Sequence, residues 1–164
     1  MALSQSRILK AGFELDLLPY ATGGYFVGGW LGTDHLRLRG IIASVNIPNF
    51  LIPNDFTNNK IQASAAVVDY SLKKNWQGWY AGTGLVKWNG SIQSRSKIQT
   101  ASYKTYLLNG TLGYNLKLNK SIYISPWAGM HLKIAGADKV SVDDKIYTPP
   151  MFNPEASIKA GFMF

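Results

Sequence analysis

The chain has no cysteine among its 164 residues, which excludes both a disulfide framework and a thiolate site. Charged residues are also scarce, at 16% against about 25% in ordinary soluble domains. No run of the sequence approaches the roughly 18 uncharged apolar residues that a membrane helix needs. Because 46% of the residues are nevertheless apolar, a membrane location would require strands, and only a closed barrel satisfies a strand backbone in lipid.

The sequence shows no motif for binding nucleic acid, phosphate or a metal ion. The formal net charge is +8, but the basic residues stand singly along the predicted strands rather than in a patch, so we expect no nucleic-acid partner. There is no glycine-rich phosphate loop, no pair of histidines at metal-ligand spacing and no calcium-loop spacing. We therefore expect no cofactor and no metal site. Asp143 and Asp144 are read as a hairpin turn, with a cation site as the alternative.

Runs of alternating polarity follow one another without a convincing helix, which predicts an all-β antiparallel up-and-down transmembrane β-barrel of about eight strands. The predicted strands lie near 11–18, 24–33, 36–47, 60–72, 78–90, 101–118, 121–136 and 154–164. Residues 11–164 then form one barrel domain, and residues 1–10 precede it. Ala2-Leu3-Ser4 is the small-x-small triplet of a cleavage site, so this lead-in is either the remnant of a removed signal peptide or an ordinary disordered terminus.

The predicted strand 105–118 shows the two faces most clearly. Leu108, Leu112 and Leu116 share one face, whereas Asn109, Thr111 and Lys117 share the other. Two architectures fit this alternation. In a soluble lipocalin-like carrier the apolar face points inward around a small hydrophobic ligand, and in a membrane barrel it points outward to lipid.

The C-terminal strand and the connections favour the membrane. Residues 156–164 place Ile158, Phe162 and Phe164 on one face, and the predicted connections alternate between short turns and long polar loops. This resembles the small eight-stranded outer-membrane barrels of the OmpA-, OmpX- and OmpW-like group. The resemblance implies a bacterial outer-membrane location, a monomer in the lipid bilayer, and Ile158, Phe162 and Phe164 as a signal read by the outer-membrane assembly machinery.

The polar face of such a barrel fills the lumen. An interior of about eight strands is only wide enough for side chains, and unpaired charges there are costly, so we predict ion pairs and a plugged polar lumen. The lumen residues are Glu14, Asp16, Arg37, Arg39, Asp69, Asn109, Lys117, His131, Lys133, Glu155 and Lys159. Pro126 lacks a ladder donor, so we expect a bulge or distorted pairing beside it.

The candidate functions are of three classes. The favoured one is a structural or binding protein (adhesion or surface interaction) that acts through its outer loops. The alternatives are the lipocalin-like carrier and a lipid-modifying outer-membrane enzyme centred on His131, for which no triad spacing exists. The loop residues proposed to bind are Phe50, Leu51, Ile52 and Phe56, as a plug, a lipid flap or a partner surface, and Arg95 and Lys97, as contacts to lipopolysaccharide phosphates or as solvated residues.

Overall fold

The computed structural model describes residues 9–96 and 99–164. Eight antiparallel strands close into a barrel in the order β1-β10-β7-β6-β5-β4-β3-β2, which confirms the predicted barrel. Its strands are β1 (Lys10–Asp16), β2 (Tyr25–Gly32), β3 (Leu36–Asn46), β4 (Phe56–Ser71), β5 (Gly78–Ser94), β6 (Thr100–Lys117), β7 (Ile122–Gly136) and β10 (Phe152–Met163). The strands β8 (Val140–Val142) and β9 (Lys145–Tyr147) form a separate hairpin.

Neighbouring strands are also neighbours in sequence, apart from the closing pair β1 and β10 and the connection from β7 to β10 that carries the hairpin. We call the end of the barrel with Lys10, Met163 and the short connections the turn end, and the opposite end the loop end. Among the described residues, no helix is both long enough and apolar enough to cross a membrane.

The side-chain alternation puts the apolar face on the outside. Large apolar residues on the outer wall are 40–60% exposed, for example Leu31 at 53%, Leu38 at 56% and Leu112 at 54%. Charged residues of the other face are almost fully buried, including Glu14, Arg37 and Asp69. This is the arrangement of a barrel in lipid, and it is the reverse of the lipocalin-like alternative.

Strands β4 and β5 extend further toward the loop end than the sequence suggested. β4 begins at Phe56 and β5 continues to Ser94, so the first part of the expected connection between β5 and β6 is strand. The solvent-facing residues of these extensions are polar (Asn58, Ser91, Gln93), which is how a strand looks when it leaves the bilayer. A strand that stands in water has no need of apolar residues on its outer face, so the alternation of apolar and polar residues is lost there. The predicted strands therefore ended too early.

β1 is short, because the chain leaves the wall at Asp16. Asp16 caps a single helical turn, α1 (Leu17–Ala21), with its Oδ1 accepting from the amide of Leu18 at 3.3 Å. Pro19 suits this first turn because it lacks the amide that would be unpaired there. The sequence reading had continued the strand to Leu18.

The pairing is distorted at Pro126, as expected, although not by a bulge. β7 pairs with β6 at Trp127 and again at Ile124, whereas Pro126 and Ser125 have no partner in β6, and the register is the same on both sides. The register shift between β6 and β7 lies instead at Tyr106 and Leu107. On its other side Pro126 keeps its place opposite Ile158 of β10.

The hairpin β8–β9 turns at Asp143, which has a positive φ of 55°, and it covers the loop end of β5 and β6. Val140, Val142 and Tyr147 pack with other buried side chains into one cluster that includes Ile52, Phe56, Ile92 and Tyr103. Asn59 joins the two tyrosines, because it accepts from Tyr103 Oη at 2.8 Å and donates to Tyr147 Oη at 3.1 Å. Burial raises the pKa of the Tyr147 hydroxyl above its ordinary value, which keeps this network neutral.

Candidate functional site

Four charged side chains from β1, β3 and β4 meet in the turn half of the barrel. Glu14 accepts from Arg37 Nη1 at 2.6 Å and from Arg39 Nη1 at 3.2 Å. Asp69 accepts from Arg37 Nε at 3.0 Å and from Arg39 Nη2 at 2.9 Å. Each carboxylate therefore bridges both guanidinium groups, and we call Glu14, Arg37, Arg39 and Asp69 the charge cluster. Such mutual pairing is what makes four buried charges tolerable in a low-dielectric interior.

Aromatic rings enclose this charge cluster on the turn side. The guanidinium of Arg37 lies 5.4, 5.1 and 5.4 Å from the ring centroids of Trp30, Trp76 and Tyr80. Tyr123 Oη donates to Glu14 Oε1 at 2.7 Å and accepts from Trp30 Nε1 at 3.0 Å. The rings thus shield the cluster from water, and Tyr123 adds a hydrogen bond to it. Arg37 Nη2 is buried without a hydrogen-bond partner in the described part of the chain.

The inward rings fit because each lies over a glycine of the neighbouring strand. Trp30 is registered with Gly12, Tyr80 with Gly113 and Tyr123 with Gly161. A Cβ at Gly113 would lie 2.4 Å from the ring of Tyr80, and one at Gly161 would lie 2.2 Å from that of Tyr123. These inward glycines therefore make room for the rings, and no other residue fits without displacing one.

Lys159 of β10 lies just above the charge cluster and is only 2% exposed. Its ammonium stands 4.3 Å from the centroid of the Trp127 ring. Asp16, registered opposite Lys159, is engaged elsewhere: it accepts from Trp127 Nε1 at 2.7 Å and from Ser157 Oγ. Within residues 9–96 and 99–164, the Lys159 ammonium has no hydrogen bond and no ion pair within 4 Å.

Above Lys159 the interior changes character and opens into a cavity of about 690 Å³, which we call the chamber. Its wall is mostly small and aliphatic, with Ala43, Ala63 and Ala65 where the turn half carries arginine and tryptophan. Arg39, Asp16 and Lys159 form its floor, and loop residues 47, 48, 50–53 and 148–150 line its mouth. Charged and aromatic side chains thus fill the turn half, whereas alanine and valine on the inner face of β3–β5 leave the loop half unfilled. Polar residues such as Asn109 and His131 also lie on the wall of the loop half.

The remaining predicted lumen residues are dispersed along the barrel. Asn109 lies on the chamber wall and accepts from Thr111 Oγ1 at 2.8 Å, whereas Lys117 is half-buried at the turn end of β6. Lys133 donates to the carbonyl of Ala137 at 3.2 Å and to Asp138 at 2.9 Å. The hydrogen bond from Lys133 holds the pKa of the Asp138 carboxyl below its usual value.

His131 lies on the chamber wall with its ring paired on one side only. Its Nε2 is 3.1 Å from Glu155 Oε2, while its buried Nδ1 has no hydrogen-bond partner in the described part of the chain. Ser125, on the same inward face of β7, is hydrogen-bonded to Tyr80 Oη at 3.2 Å in the turn half. No serine of the described residues is hydrogen-bonded to His131, so the described residues do not form a catalytic triad around it. Nor do the described residues contain a metal-binding cluster of histidines and carboxylates.

The structure divides the apolar loop residues into two pairs. Phe50 and Leu51 project outward at 84% and 65% exposure, but Ile52 and Phe56 are 5% and 4% exposed inside the cluster of the hairpin. Ile52 and Phe56 are therefore anchors of this loop rather than part of a binding surface, because two apolar side chains gain more from the Tyr147 and Val142 contacts than from water. Arg95 is exposed and donates its amide to Asp55 O at 3.0 Å, and Lys97 lies outside the described residues.

The residues assigned to an assembly signal lie on the outer wall. Phe162 stacks on Phe13 of β1 at 5.8 Å and meets Phe164 edge-on at 5.3 Å. Ile158 is 46% exposed on the same wall, further toward the loop end. The three side chains therefore face the region where lipid would lie, and the ring pairs join β10 to β1 at the closing seam.

Sequence reasoning missed the chamber and the ring-over-glycine pairs. The signal for the pairs was present, since aromatic residues and glycines alternate on the inner face at Tyr80-Ala81-Gly82 and Gly28-Gly29-Trp30. Only the strand register shows which ring meets which glycine. The chamber had a signal too, in the inward run Ala63-Ala65-Val67, but inner residues had been identified by their polarity alone.

Solved structures with the same architecture are outer-membrane proteins. The N-terminal β-barrel domain of Pseudomonas aeruginosa OprF matches with a TM-score of 0.62 at 14% identity, over 94% of this chain and 97% of that one. Neisserial surface protein A (NspA) matches with a TM-score of 0.54 at 8% identity, over 94% and 92%. No protein-family model and no curated relative matches the sequence. The chain therefore has the fold of the small outer-membrane β-barrels, as the sequence resemblance implied.

Proposed function

We propose that the protein is an integral barrel of the bacterial outer membrane that passes no solute and acts as a binding protein at its loop end. The observation that carries this is the asymmetry of the interior. The turn half is filled by the charge cluster and its rings, whereas the loop half has an empty chamber and exposed apolar loop residues. An interior blocked at one end and open at the other suits capture from outside rather than conduction.

The blocked turn half is tested by conductance. The barrel, folded in detergent and inserted into planar lipid bilayers, is expected to show no stable ion channel, because the charge cluster and its rings are proposed to plug the turn half. A porin measured in the same bilayers provides the positive control. Reproducible unitary conductance from the wild-type barrel would overturn the closed-lumen part of the proposal.

The membrane orientation is tested by single cysteines, since the chain has none of its own. Phe50→Cys at the loop end and Asp34→Cys at the turn end both replace exposed residues. In intact Gram-negative cells a membrane-impermeant maleimide should label Phe50→Cys, and it should label Asp34→Cys only after the outer membrane is permeabilised. Labelling of both in intact cells, or of neither, would contradict the proposed orientation.

A further inference from the structure

We propose that the chamber binds an amphipathic carboxylate, a molecule with one apolar chain and one carboxylate head, with the head on Lys159. The ligand would reach the chamber sideways, through a gap in the barrel wall beside α1. This inference rests on the proposed binding role of the loop end and names the ligand class for it.

The body of the ligand follows from the size and lining of the chamber. Its volume of about 690 Å³ lies within the roughly 300–1,000 Å³ of small-molecule sites. Ala43, Ala65, Val67 and Val86 offer no hydrogen bonds to a ligand. An apolar chain would gain by leaving water for this wall, whereas a sugar or a peptide would lose hydrogen bonds there.

The head of the ligand follows from the floor of the chamber. Arg39 has both neighbouring carboxylates as partners, Glu14 and Asp69, so it needs no further acceptor. Lys159 is as deeply buried, but among the described residues its ammonium has no hydrogen bond and no ion pair within 4 Å, and it lies over the face of Trp127. Buried ammonium groups ordinarily have acceptors. A ligand in the chamber that carried one negative charge would supply the acceptor that the Lys159 ammonium lacks. A carboxylate has this charge and accepts hydrogen bonds.

The route follows from the strand pairing. β10 pairs with β7 from Phe152 to Phe162, but β1 covers it only from Met163 to Lys159. Within the described residues the loop half of β10 therefore has a strand neighbour on one side only. Pro154 lies in this half, and proline is tolerated on such an edge.

α1 stands across the gap, with the amide of Leu18 donating to Ser157 Oγ at 3.3 Å. Pro154 and Ala156 are exposed residues with outward parity on β10, yet both also line the chamber, as do Leu18 and Pro19 of α1. The lining by Pro154 and Ala156, together with the missing strand neighbour, supports an opening of the wall between α1 and β10. Through it the chamber would communicate with the level of the outer leaflet.

Binding is tested with the full chain in lipid nanodiscs and bromododecanoate as the probe, because bromine quenches tryptophan fluorescence and Trp88 and Trp127 line the chamber. We expect saturable quenching in the wild type. Lys159→Met should weaken bromododecanoate binding by at least about tenfold, the usual worth of a hydrogen bond to a charged group. The same substitution should leave binding of bromododecanol unchanged, since the alcohol carries no charge.

A second pair of variants separates the chamber from bulk lipid. Ala65→Phe points into the chamber and should abolish saturable quenching, whereas Ala66→Phe points outward from the adjacent position and should not change it. Equal quenching in both variants would overturn the chamber as the site. Equal carboxylate affinity in wild type and Lys159→Met would overturn Lys159 as the partner of the head.

The route is tested by the rate of quenching. Ala156→Phe narrows the gap, and Ala128→Phe makes the same change at the registered, exposed position of β7. We expect slower quenching in Ala156→Phe at unchanged affinity, and no change in Ala128→Phe; identical rates would exclude the gap as the entrance. Fluorescence quenching tests ligand binding, and conductance tests the closed lumen. Either proposal can therefore be contradicted without the other.

Discussion

The two halves of the barrel interior have the same wall but opposite contents. In the turn half, long side chains such as Arg37, Trp30 and Tyr80 reach the axis and are held by hydrogen bonds and by glycines opposite their rings. In the loop half, Ala43, Ala63 and Ala65 occupy inward positions of β3 and β4, and about 690 Å³ stays empty. An eight-stranded wall is wide enough to be filled and no wider. The comparison teaches that side-chain length alone decides whether a section of such a barrel is a plug or a site.

Removing one carboxylate of the charge cluster should lower the free energy of unfolding more than any other substitution considered below. Glu14→Ala leaves Arg37 and Arg39 with Asp69 as their only carboxylate, and breaking a buried charge pair in this way costs about 3–5 kcal/mol. Urea unfolding in lipid vesicles, followed by the mobility shift on unboiled gels, should show this loss. The matched control is Glu155→Ala, whose partner His131 lies on the chamber wall and whose own side chain is 41% exposed. Equal losses of stability in both variants would mean that carboxylates contribute as much to stability in the loop half as in the turn half.

The direction of the two faces is tested next. Leu112→Arg places a charge on the outer wall at 54% exposure, and a charge near the bilayer midplane costs about 2–4 kcal/mol. Thr111→Arg changes the neighbouring position, which lines the chamber and therefore has space for the longer side chain. Folding yield into vesicles and the urea midpoint should fall for the first variant more than for the second. The opposite ranking would show that the polar face points toward lipid.

A glycine pair tests the packing of the turn half. Gly113→Ala forces a methyl group to within 2.4 Å of the Tyr80 ring, whereas a Cβ at Gly110 on the same strand meets nothing within 4 Å. Overpacking of this kind costs about 1–3 kcal/mol, so the urea midpoint should fall for Gly113→Ala and hardly change for Gly110→Ala. In a Tyr80→Ala background the cost of Gly113→Ala should largely disappear. A persistent cost in that background would assign the loss to the backbone rather than to the ring.

The turn half was also the part that the sequence predicted better. Glu14, Arg37, Arg39 and Asp69 stand out as charges within apolar alternation, and a lumen is where such residues belong. The positions of the strands could be predicted as well, because a strand in the bilayer has an apolar residue at every second position. Outside the bilayer this constraint ends, and there the reading missed the extensions of β4 and β5. It also continued the first strand past Asp16 into the residues that form α1.

The chamber was missed because inner residues were identified by their polarity. Asp69 was already assigned to the lumen, and the period of two of a strand puts Ala65 on the face of Asp69 and Ala66 on the opposite face. How large a space these alanines leave depends on their partners across the barrel, which the strand alone does not show. The adjacent aromatic residues Trp79 and Tyr80 divide between the two faces by the same period of two. Trp79 lies on the outer wall at 52% exposure, and its neighbour Tyr80 is buried at 1%.

The smallest expected effect on global stability concerns the rim of the chamber. Ile52 is packed against the hairpin cluster, and its neighbour Leu51 is 65% exposed. Ile52→Ala removes contacts worth roughly 2–5 kcal/mol in a packed core. These contacts anchor loop 47–55 to the hairpin, as does the ion pair between Lys145 and Asp55 at 3.5 Å. The loss should therefore appear as local opening, with the urea midpoint of the barrel unchanged.

Limited proteolysis of the folded barrel measures that opening. Cleavage within loop 47–55 should accelerate by at least about tenfold in Ile52→Ala and should stay at the wild-type rate in Leu51→Ala. If both variants are cleaved alike, the loop is not anchored by Ile52. If Ile52→Ala instead lowers the urea midpoint, the rim is part of the cooperative unit, and the loop half resembles the turn half in stability although its interior is empty.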